Sequence, residues 1–476
     1  MKKNVHFETL GCRLNQVESE GMAKFFSDAS FDCSMQSVTA ADNPDESVCA
    51  CIVNTCTVTT KAEQKARRII RLLLSKFPHS AVIVTGCYAE LGEKQLLSMN
   101  KRICVLGGQA KGFMEKVPQI LNEINSEDPE KTASELQRRF DEVRRNKLQN
   151  VIFHPFKLAT TSFINHSRAS LKIQDGCNCV CTYCAIRLAR GKSVSLDAQE
   201  VVNRVIELEK NGYGEVVITT VNIGQYVSTW NGQTINFTGL LKILLEKTSK
   251  IAFRISSLYP EIVDEKFAET VKDRRVRPHF HISVQSGSDA VLEKMKRPYR
   301  AEKVYNAVRL LRQAKGSPFI ACDIIAGFPG ETDEDFALTM KMLEECNFTF
   351  VHAFPFSARP GTEAYKMRPM VPNSVTGTRI AALEEFNSVH RSAYLKSYTG
   401  KILPAVCENL HSQKNMKDKT VIHAVTENFI HCQLVFDSES AEIPEPSSAI
   451  NVRILRLLEK DEVTGESEVL AEPASN

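Results

Sequence analysis

The stretch Asp175-Gly-Cys177-Asn-Cys-Val-Cys181-Thr-Tyr-Cys184 places three cysteines at the spacing C-x3-C-x2-C. Thiolates this close together can bind one inorganic centre. Iron–sulfur cubanes are usually held by four thiolates, so a set of three leaves one iron open to a small-molecule ligand. A zinc site completed by Cys179 is the main alternative, although structural zinc usually takes two cysteine pairs from separate turns. A disulfide framework is less favoured, because the chain is far longer than small secreted domains stapled by cystine.

Length and composition indicate a multidomain intracellular protein. The 476 residues suffice for two or three domains. The chain has fifteen cysteines, no recognisable secretory segment and no apolar run of membrane-spanning length, so we expect a reducing cytoplasm and no membrane partner. The net charge is +3, yet residues 401–476 carry 7 Lys/Arg against 13 Asp/Glu, a balance of −6 that leaves +9 on the rest. Any polyanion should therefore bind the body of the protein.

Residues 1–125 alternate apolar runs with helical patterns, which predicts a small parallel α/β domain. Its predicted strands are 5–10, 51–53, 81–85 and 103–106, and a helix is predicted at 61–76. At 126–167 the strand pattern is lost and the charged run 137–147 appears. We therefore expect a helical linker there.

Six further strand candidates, each followed by a helical stretch, predict a central domain over 168–397. They are 170–174, 215–221, 253–256, 279–284, 319–326 and 350–354. Such units form a parallel sheet with right-handed crossovers, either open or curled into a partial barrel, with the site at the carboxyl ends of the strands. Short β-type runs over 398–460 predict a small β-barrel, and the acidic residues 461–476 predict a disordered tail.

Three more cysteines, Cys12, Cys56 and Cys87, each follow a predicted strand of the first domain. Cysteines at the carboxyl ends of neighbouring parallel strands can converge on one point, although 44 and 31 residues separate these in the chain. A second three-thiolate site is one interpretation, and three ordinary buried thiols are the other. Spacing alone does not decide between them.

The sequence around these cysteines resembles the methylthiotransferase branch of the radical S-adenosylmethionine (SAM) superfamily. The similarity continues in family order to about residue 400. Its main stretches are Thr-Leu-Gly-Cys-Arg-Leu-Asn-Gln at 9–16, Asn-Thr-Cys-Thr-Val-Thr at 54–59, Val-Thr-Gly-Cys-Tyr-Ala-Glu at 84–90, Asp-Ile-Ile-Ala-Gly-Phe-Pro-Gly-Glu-Thr at 323–332 and Phe-Pro-Phe-Ser-Ala-Arg-Pro-Gly-Thr at 354–362.

The resemblance implies SAM and two 4Fe-4S clusters as cofactors, an α/β fold with a central radical SAM partial (β/α)6 barrel, and a C-terminal barrel of the RNA-binding TRAM type. It assigns the SAM cluster, which generates the radical, to the cysteines of the opening motif, Cys177, Cys181 and Cys184. It assigns the auxiliary cluster, implicated in sulfur delivery, to the first-domain cysteines, Cys12, Cys56 and Cys87. The implied reaction replaces C–H by C–S–CH3 and draws electrons from a donor such as flavodoxin or ferredoxin.

Seven residues are candidates for contacts to SAM or substrate, either by position at strand ends or by backbone freedom in a turn. They are Tyr183, Asn222, Gln285, Ser286, Asp323, Gly327 and Gly330. A packing role is equally consistent for Tyr183, and a structural ion pair for Asp323. We expect His279 and His281 to be packed or hydrogen-bonded rather than catalytic. Residues 184–187 read Cys-Ala-Ile-Arg where the family often has Cys-Ile-Ile-Pro, which leaves details of the SAM-binding loop open.

The opening Gly-Cys-Arg-Leu-Asn-Gln-Val-Glu-Ser at 11–19 looks most like the branch that acts on N6-threonylcarbamoyladenosine at position 37 of the tRNA anticodon loop. The branches acting on isopentenyladenosine tRNA or on a ribosomal protein stay open, as does, more distantly, a non-enzymatic zinc or RNA-binding module.

Two sets of basic side chains support RNA binding. The first lies on one predicted helix: Lys61, Lys65, Arg67, Arg68 and Arg71. The second is Lys294, Lys296, Arg297 and Arg300. A solvated helix surface explains such charges equally well.

Overall fold

A computed structural model describes residues 3–124, 126–145, 155–158, 168–408, 414–416, 419–437, 443–445, 447–459, 462 and 466–474. The chain forms two compact units. The first comprises residues 1–164, 172–194 and 357–365, and the second 165–171, 195–356 and 366–476. In the described ranges, no helix has the length and apolar character needed to cross a lipid bilayer.

The first unit is built on a five-stranded parallel sheet of order β2-β1-β3-β4-β5. The strands are β1 (Asn4–Thr9), β2 (Asp32–Ser34), β3 (Val48–Thr55), β4 (Ala81–Gly86) and β5 (Ile103–Val105). The helices are α1 (Arg13–Asp28), α2 (Thr60–Lys76), α3 (Cys87–Leu91), α4 (Glu93–Leu97), α5 (Val117–Glu123) and α6 (Pro129–Arg145), with a 3-10 helix at Gly108–Lys116. Strand β4 is buried throughout and β3 almost throughout, as in parallel sheets covered on both faces. The predicted parallel α/β fold is confirmed.

Helix α6 differs from the helical linker predicted at 126–167. It buries Ala133, Leu136 and Phe140 in the same core as Phe7 of β1. These residues follow helical periodicity, but the charged residues on the other face hid the stripe in the sequence. Helix α6 is therefore part of the first unit, and positions 146–154 and 159–167 of the predicted linker fall outside the described residues.

The second unit contains the partial (β/α)6 barrel that the sequence predicts. Its strands are β6 (Ala169–Lys172), β9 (Glu215–Thr219), β12 (Ala252–Ile255), β13 (Ser257–Leu258), β14 (His279–Gln285), β15 (Phe319–Ala326) and β16 (Phe350–Pro355). The pairs β12–β9, β13–β14, β14–β15 and β15–β16 are parallel. Because β12 runs on into β13, the strand order is β6-β9-β12/β13-β14-β15-β16.

Helices alternate with these strands. They are Ala198–Lys210, Phe237–Lys247, Glu265–Val271, Asp289–Lys294, Ala301–Lys315 and Asp333–Glu345, followed by the long helix Asn373–Lys396. Two short strands, β7 (Gln174–Asp175) and β8 (Val194–Ser195), and the helix Ile186–Arg190 lie around the cysteine motif in the chain. The predicted strands omit the antiparallel hairpin formed by β10 (Val227–Trp230) and β11 (Gln233–Asn236), although Asn231 and Gly232, both at positive φ, are the residues typical of its two-residue turn.

The C-terminal residues form a closed β-barrel. Its strands are β17 (Ile402–Cys407), β19 (Lys419–Thr426), β20 (His431–Asp437), β21 (Ala449–Leu457) and β22 (Val469–Pro473), with β18 (Lys414–Met416) paired to β19. The barrel closes because β17 pairs with both β19 and β21. Strand β22 lies within the predicted disordered tail, where it buries Val469 and Ala471. The acidic composition of the tail hid this alternating apolar strand.

A buried ion-pair network joins the C-terminal barrel to the amino ends of the central strands. Glu215, the first residue of β9, accepts hydrogen bonds from Arg254 (2.7 Å) and Arg277 (2.9 Å). Arg254 also donates to the backbone carbonyl of Thr426 in β19 (3.1 Å). Burial alone would raise the pKa of Glu215, but the arginines hold it at about 2. The C-terminal barrel is thus fixed at the end of the central sheet opposite the carboxyl strand ends.

Candidate active site

The cysteine loop after β6 is held by backbone and amide hydrogen bonds. The backbone N–H of Cys177 donates to the Gly191 carbonyl (3.1 Å), and that of Cys184 donates to the Cys181 carbonyl (3.1 Å). Gln174 Nε2 donates to the Gly176 carbonyl just before the first cysteine (2.8 Å). Cys177 and Cys181 are buried, and Cys184 is half-buried. The loop is thus a fixed turn that contains three protected thiols.

Cys179 interacts with its neighbours rather than standing apart as a fourth ligand. Its backbone N–H donates to Cys177 Sγ (3.4 Å). Hydrogen bonds between its side chain and those of Cys177 and Cys181, followed by burial, raise the pKa of the Cys179 thiol. Cys179 therefore lies against two of the three motif cysteines.

The fold brings Cys12, Cys56 and Cys87 together. They follow β1, β3 and β4, which are adjacent in the sheet. Gly11 has φ +102°, and a Cβ placed on it would lie 2.4 Å from Cys56 Cβ and 2.8 Å from Cys56 Sγ. Burial raises the pKa of Cys56 to about 11, and the charges of Cys12 and Cys87 act on it in the same direction. The three thiols therefore share one small region at the carboxyl end of the sheet.

Two asparagines that were not among the predicted site residues fix these cysteine loops. Asn15 Nδ2 donates to the carbonyls of Leu10 (2.8 Å) and Thr55 (3.1 Å), which bridges the ends of β1 and β3. Asn54 Nδ2 donates to the carbonyl of Asn15 (2.9 Å). Both asparagines are fully buried, and each lies within three residues of a cysteine in the motif stretches. Their buried amides replace the backbone partners that the strands lack at their ends.

A buried cluster of five charged residues lies beside the cysteines. Glu18 Oε1 contacts Lys172 Nζ (2.9 Å) and Arg190 Nη1 (2.9 Å), and Lys111 also pairs with Glu18. Asp175 contacts Lys172 and Arg190, each at 3.0 Å. Burial alone would raise the pKa of Glu18, but the three cations hold it well below its ordinary value. This charge cluster lines a cavity of about 550 Å³.

Arg190 links the charge cluster to the first-domain cysteines. Burial would lower its pKa, but the negative charges of Cys87, Glu18 and Asp175 hold that pKa well above the ordinary value. Arg190 Nη2 also donates to Asn15 Oδ1 (2.8 Å). The contacts of Arg190 place a permanent positive charge against a site that thiolates would make negative.

The two thiol sets fit iron–sulfur cubanes in donor chemistry, since each offers three sulfurs and needs no imidazole or carboxylate. Within the described part of the chain, no three His, Cys, Asp or Glu side chains are grouped as ligands of a single metal ion. In a cubane each thiolate binds a different iron, so the sulfurs stand farther apart than ligands of one ion.

The candidate residues of the second unit fall at or near the carboxyl ends of its strands. Asn222 Oδ1 accepts from the Gly224 N–H (3.0 Å), so it caps a short turn after β9. Gln285 ends β14 with φ +71°, a strained conformation for a non-glycine residue and one found often at functional sites. Asp323 Oδ1 lies 2.9 Å from His281 Nε2, so a side chain of the protein already faces this carboxylate. His281 also stacks on His352, with ring centroids 4.8 Å apart.

Protein groups already occupy the space around the remaining candidates. A Cβ on Gly327 would lie 2.2 Å from Thr376 Oγ1, and the Gly330 N–H donates to the Pro369 carbonyl (2.9 Å). The backbone at these two glycines is therefore in close contact with other protein groups, rather than bordering open space for adenine or ribose. The Ser286 hydroxyl accepts from the Ser288 N–H (3.2 Å) and is buried. Tyr183 is half-buried within the cysteine loop.

Comparisons with known proteins cover nearly the whole chain. The family described as the Radical SAM superfamily matches residues 171–343, and Uncharacterized protein family UPF0004 matches residues 4–108. A threonylcarbamoyladenosine tRNA methylthiotransferase of Treponema pallidum is 40% identical over 91% of this chain and 94% of the relative. The protein of the same description in Thermotoga maritima is 34% identical over 84% and 85%. A tRNA-2-methylthio-N(6)-dimethylallyladenosine synthase of Aromatoleum aromaticum is 28% identical over 90% and 91%.

The partial barrel and the cysteine loop after its first strand define a radical SAM enzyme. With relatives of this identity along most of its length, the chain belongs to the radical SAM methylthiotransferase family. It is accordingly a transferase whose cofactors are SAM and two 4Fe-4S clusters.

Proposed function

We propose that the enzyme converts N6-threonylcarbamoyladenosine at position 37 of tRNA to its 2-methylthio derivative. The observation that carries this proposal is the pattern of identity. Relatives described as threonylcarbamoyladenosine enzymes reach 40% and 34%, whereas a dimethylallyladenosine synthase reaches 28% over a similar span. The Gly-Cys-Arg-Leu-Asn-Gln opening around Cys12 favours the same branch.

In the proposed roles, Cys177, Cys181 and Cys184 hold the cluster at which SAM binds, and Cys12, Cys56 and Cys87 hold the auxiliary cluster. When bound, these groups supply hydrogen-atom abstraction and sulfur, respectively. In the net change, the adenine C2–H bond is replaced by C2–S–CH3. One SAM is consumed as the radical source, and a second donates the methyl group.

The chain's own side chains orient the site and balance its charge. Burial raises the pKa of the Cys87 thiol, and the positive charges of Arg190 and Lys111 oppose that rise. Asn15 fixes the loops that contain Cys12 and Cys56. We propose that SAM or substrate is contacted by Tyr183, Asn222, Gln285, Ser286, Asp323, Gly327 and Gly330. The existing contacts of Ser286, Gly327 and Gly330 favour a shaping role for these three.

We further propose that the reaction takes place in the cytoplasm and that a small electron carrier such as flavodoxin or ferredoxin reduces the SAM cluster. Anaerobically reconstituted enzyme should accept electrons from such a carrier and form 5'-deoxyadenosine. A failure of both carriers, in enzyme that dithionite activates, would overturn this choice of donor.

Mass spectrometry of tRNA nucleosides tests the substrate. A strain lacking the gene should lose 2-methylthio-N6-threonylcarbamoyladenosine and accumulate its unmethylthiolated precursor, and the wild-type gene should restore the product. Loss of the isopentenyladenosine derivative instead would assign the chain to that branch. Unchanged tRNA nucleosides together with a lost ribosomal-protein modification would assign it to the third branch.

A further inference from the structure

Helix α2 exposes a row of four cations to solvent, Lys61, Lys65, Arg68 and Arg71. Their spacing of four, three and three residues keeps them on one side of the helix over a length of about 15 Å. Within the described residues, no acidic side chain pairs with any of the four. Neighbouring cations without acidic partners repel each other, which destabilises the folded protein. An anion bound to them would remove that repulsion.

The other charged side chains of α2 turn toward the protein. Glu63, an acidic residue in the first turn, accepts a hydrogen bond from Thr57 Oγ1 (2.5 Å) and pairs with the buried Arg359. Arg67 Nη1 donates to the Tyr88 hydroxyl (2.7 Å), and its guanidinium lies 5.8 Å from the centre of that ring. The solvent side of α2 is therefore uniformly positive.

Helix α6 shows that this arrangement is not a general property of the charged helices. It also has 17 residues and lies in the same unit. Its Arg138 and Arg139 bond Glu135 at 2.7 Å and 2.9 Å, and Arg144 pairs with Glu93. Three of the four arginines of α6 pair with acidic side chains, whereas within the described residues none of the four exposed cations of α2 does.

Three members of the second basic set that the sequence suggested for RNA contact groups of the protein. Arg297 is buried, with its guanidinium 4.6 Å from the ring centre of Tyr259. Lys294 Nζ donates to the Gly330 carbonyl (2.9 Å), and Arg300 Nη1 donates to the Tyr299 carbonyl (3.1 Å). The four cations on α2 are not held by such contacts, so of the two sets theirs is the better candidate for binding an external anion.

We infer that the solvent face of α2 binds the phosphate backbone of the tRNA substrate. This inference rests on the proposed function, because it assumes that tRNA is the substrate. Helix α2 begins four residues after Cys56, so RNA bound there would lie beside the first-domain cysteines. Phosphate contacts of this kind fix the position of the RNA without reading its sequence.

The test compares the salt dependence of tRNA binding by the reconstituted holoenzyme and a quadruple variant, K61Q/K65Q/R68Q/R71Q. The probe is fluorescently labelled tRNA carrying N6-threonylcarbamoyladenosine. Each lost phosphate contact flattens the plot of log K against log salt by about 0.7 to 0.9. We expect the slope of the quadruple variant to be smaller by about 3, with binding at least tenfold weaker at low salt. The charge-conserving variant K61R/K65R/R68K/R71K should restore most of the slope.

A matched control changes four exposed lysines on helices of the second unit, as K242Q/K247Q/K266Q/K303Q, and should leave the slope unchanged. Iron content and melting temperature verify that every variant is folded. An unchanged slope in the α2 variant, with tRNA still methylthiolated by wild type, would overturn the α2 surface and leave the proposed function intact. Equal reductions of the salt-dependence slope in the two quadruple variants would also overturn the proposed α2 surface, because net charge alone would then explain the effect. A wild-type enzyme that neither binds nor modifies tRNA would overturn both proposals.

Discussion

The two thiol sets reach similar chemistry by different routes. Cys177, Cys181 and Cys184 lie within eight residues, in a loop whose own backbone hydrogen bonds shape it. Cys12, Cys56 and Cys87 come from three strand ends and meet only when β1, β3 and β4 pair in register. The first set depends on a local turn and the second on an entire sheet. Changes in the packing of the first domain should therefore affect the second set more strongly.

The largest expected effect comes from removing ligands. Alanine at Cys177, Cys181 or Cys184 should abolish both SAM cleavage and methylthiolation, because the proposed radical-generating cluster loses a ligand. Alanine at Cys12, Cys56 or Cys87 should abolish methylthiolation alone. Iron per chain should fall from about eight to about four in either group. Cys33→Ala, at a half-buried cysteine outside both sets, is the control. Loss of both activities in a folded Cys56→Ala protein would contradict two separate clusters.

The next effect concerns Glu18, whose charge cluster lies beside the first-domain cysteine Cys87. Glu18→Gln leaves Lys111, Lys172 and Arg190 with Asp175 as the remaining carboxylate of the cluster. Breaking a buried charge cluster of this kind costs about 3–5 kcal/mol in the free energy of unfolding. Denaturant unfolding of the holoenzyme measures this cost. Glu200→Gln removes an exposed pair with Arg204 and should cost less than about 1 kcal/mol.

The contribution of Glu18 to the free energy of unfolding depends on pH. The pKa of Glu18 lies well below its ordinary value in the folded protein. Its contribution is therefore complete above about pH 4.3, the pKa of glutamate in an unfolded chain, and is lost as the pH falls below that value. Unfolding at pH 7 measures all of it. Equal stabilities of wild type and Glu18→Gln at pH 7 would show that the cluster contributes nothing.

A substitution with a smaller expected effect, at Gly86, should distinguish the functions of the two thiol sets. Gly86 has φ +100°, and a Cβ on it would lie 2.3 Å from the Thr55 carbonyl oxygen. Gly86→Ala should cost about 1–3 kcal/mol and displace Cys87 from Cys56, because the backbone must move. We expect loss of methylthiolation with SAM cleavage retained, measured as 5'-deoxyadenosine formed without tRNA. Gly212→Ala, also at positive φ but with nothing within 4 Å, controls for backbone strain. Equal loss of both activities would show that the sets are not independent.

The smallest effect is expected at Cys179. Cys179 is the cysteine that the C-x3-C-x2-C spacing leaves out, so Cys179→Ala should keep about eight irons per chain and both activities. Metal analysis and absorption spectra of the reconstituted variant measure this. Loss of about half of the iron would make Cys179 a ligand and revive the four-sulfur alternative.

Much of this architecture could be predicted from the sequence. The alternation of strands and helices predicted both α/β parts, because each element has its own hydrophobic period. Average composition led to two wrong predictions. The acidic tail contains strand β22, and α6, whose exposed face is charged, packs residues in the core of the first unit. Gly327 and Gly330 correctly predicted a turn. The sequence did not show that Thr376 and Pro369 contact that turn.

The sequence by itself determined the Cys177 loop, since eight residues suffice to bring three thiols together. It also determined the family, through motifs that stand in order along the chain. Only the tertiary structure decided that Glu18 and Asp175 share their cations, that Arg190 faces Cys87, and that Glu63 turns away to leave α2 uniformly positive. The physical reason is distance along the chain. Charges separated by up to 296 residues interact only after the fold has buried them together, and no local pattern records that encounter.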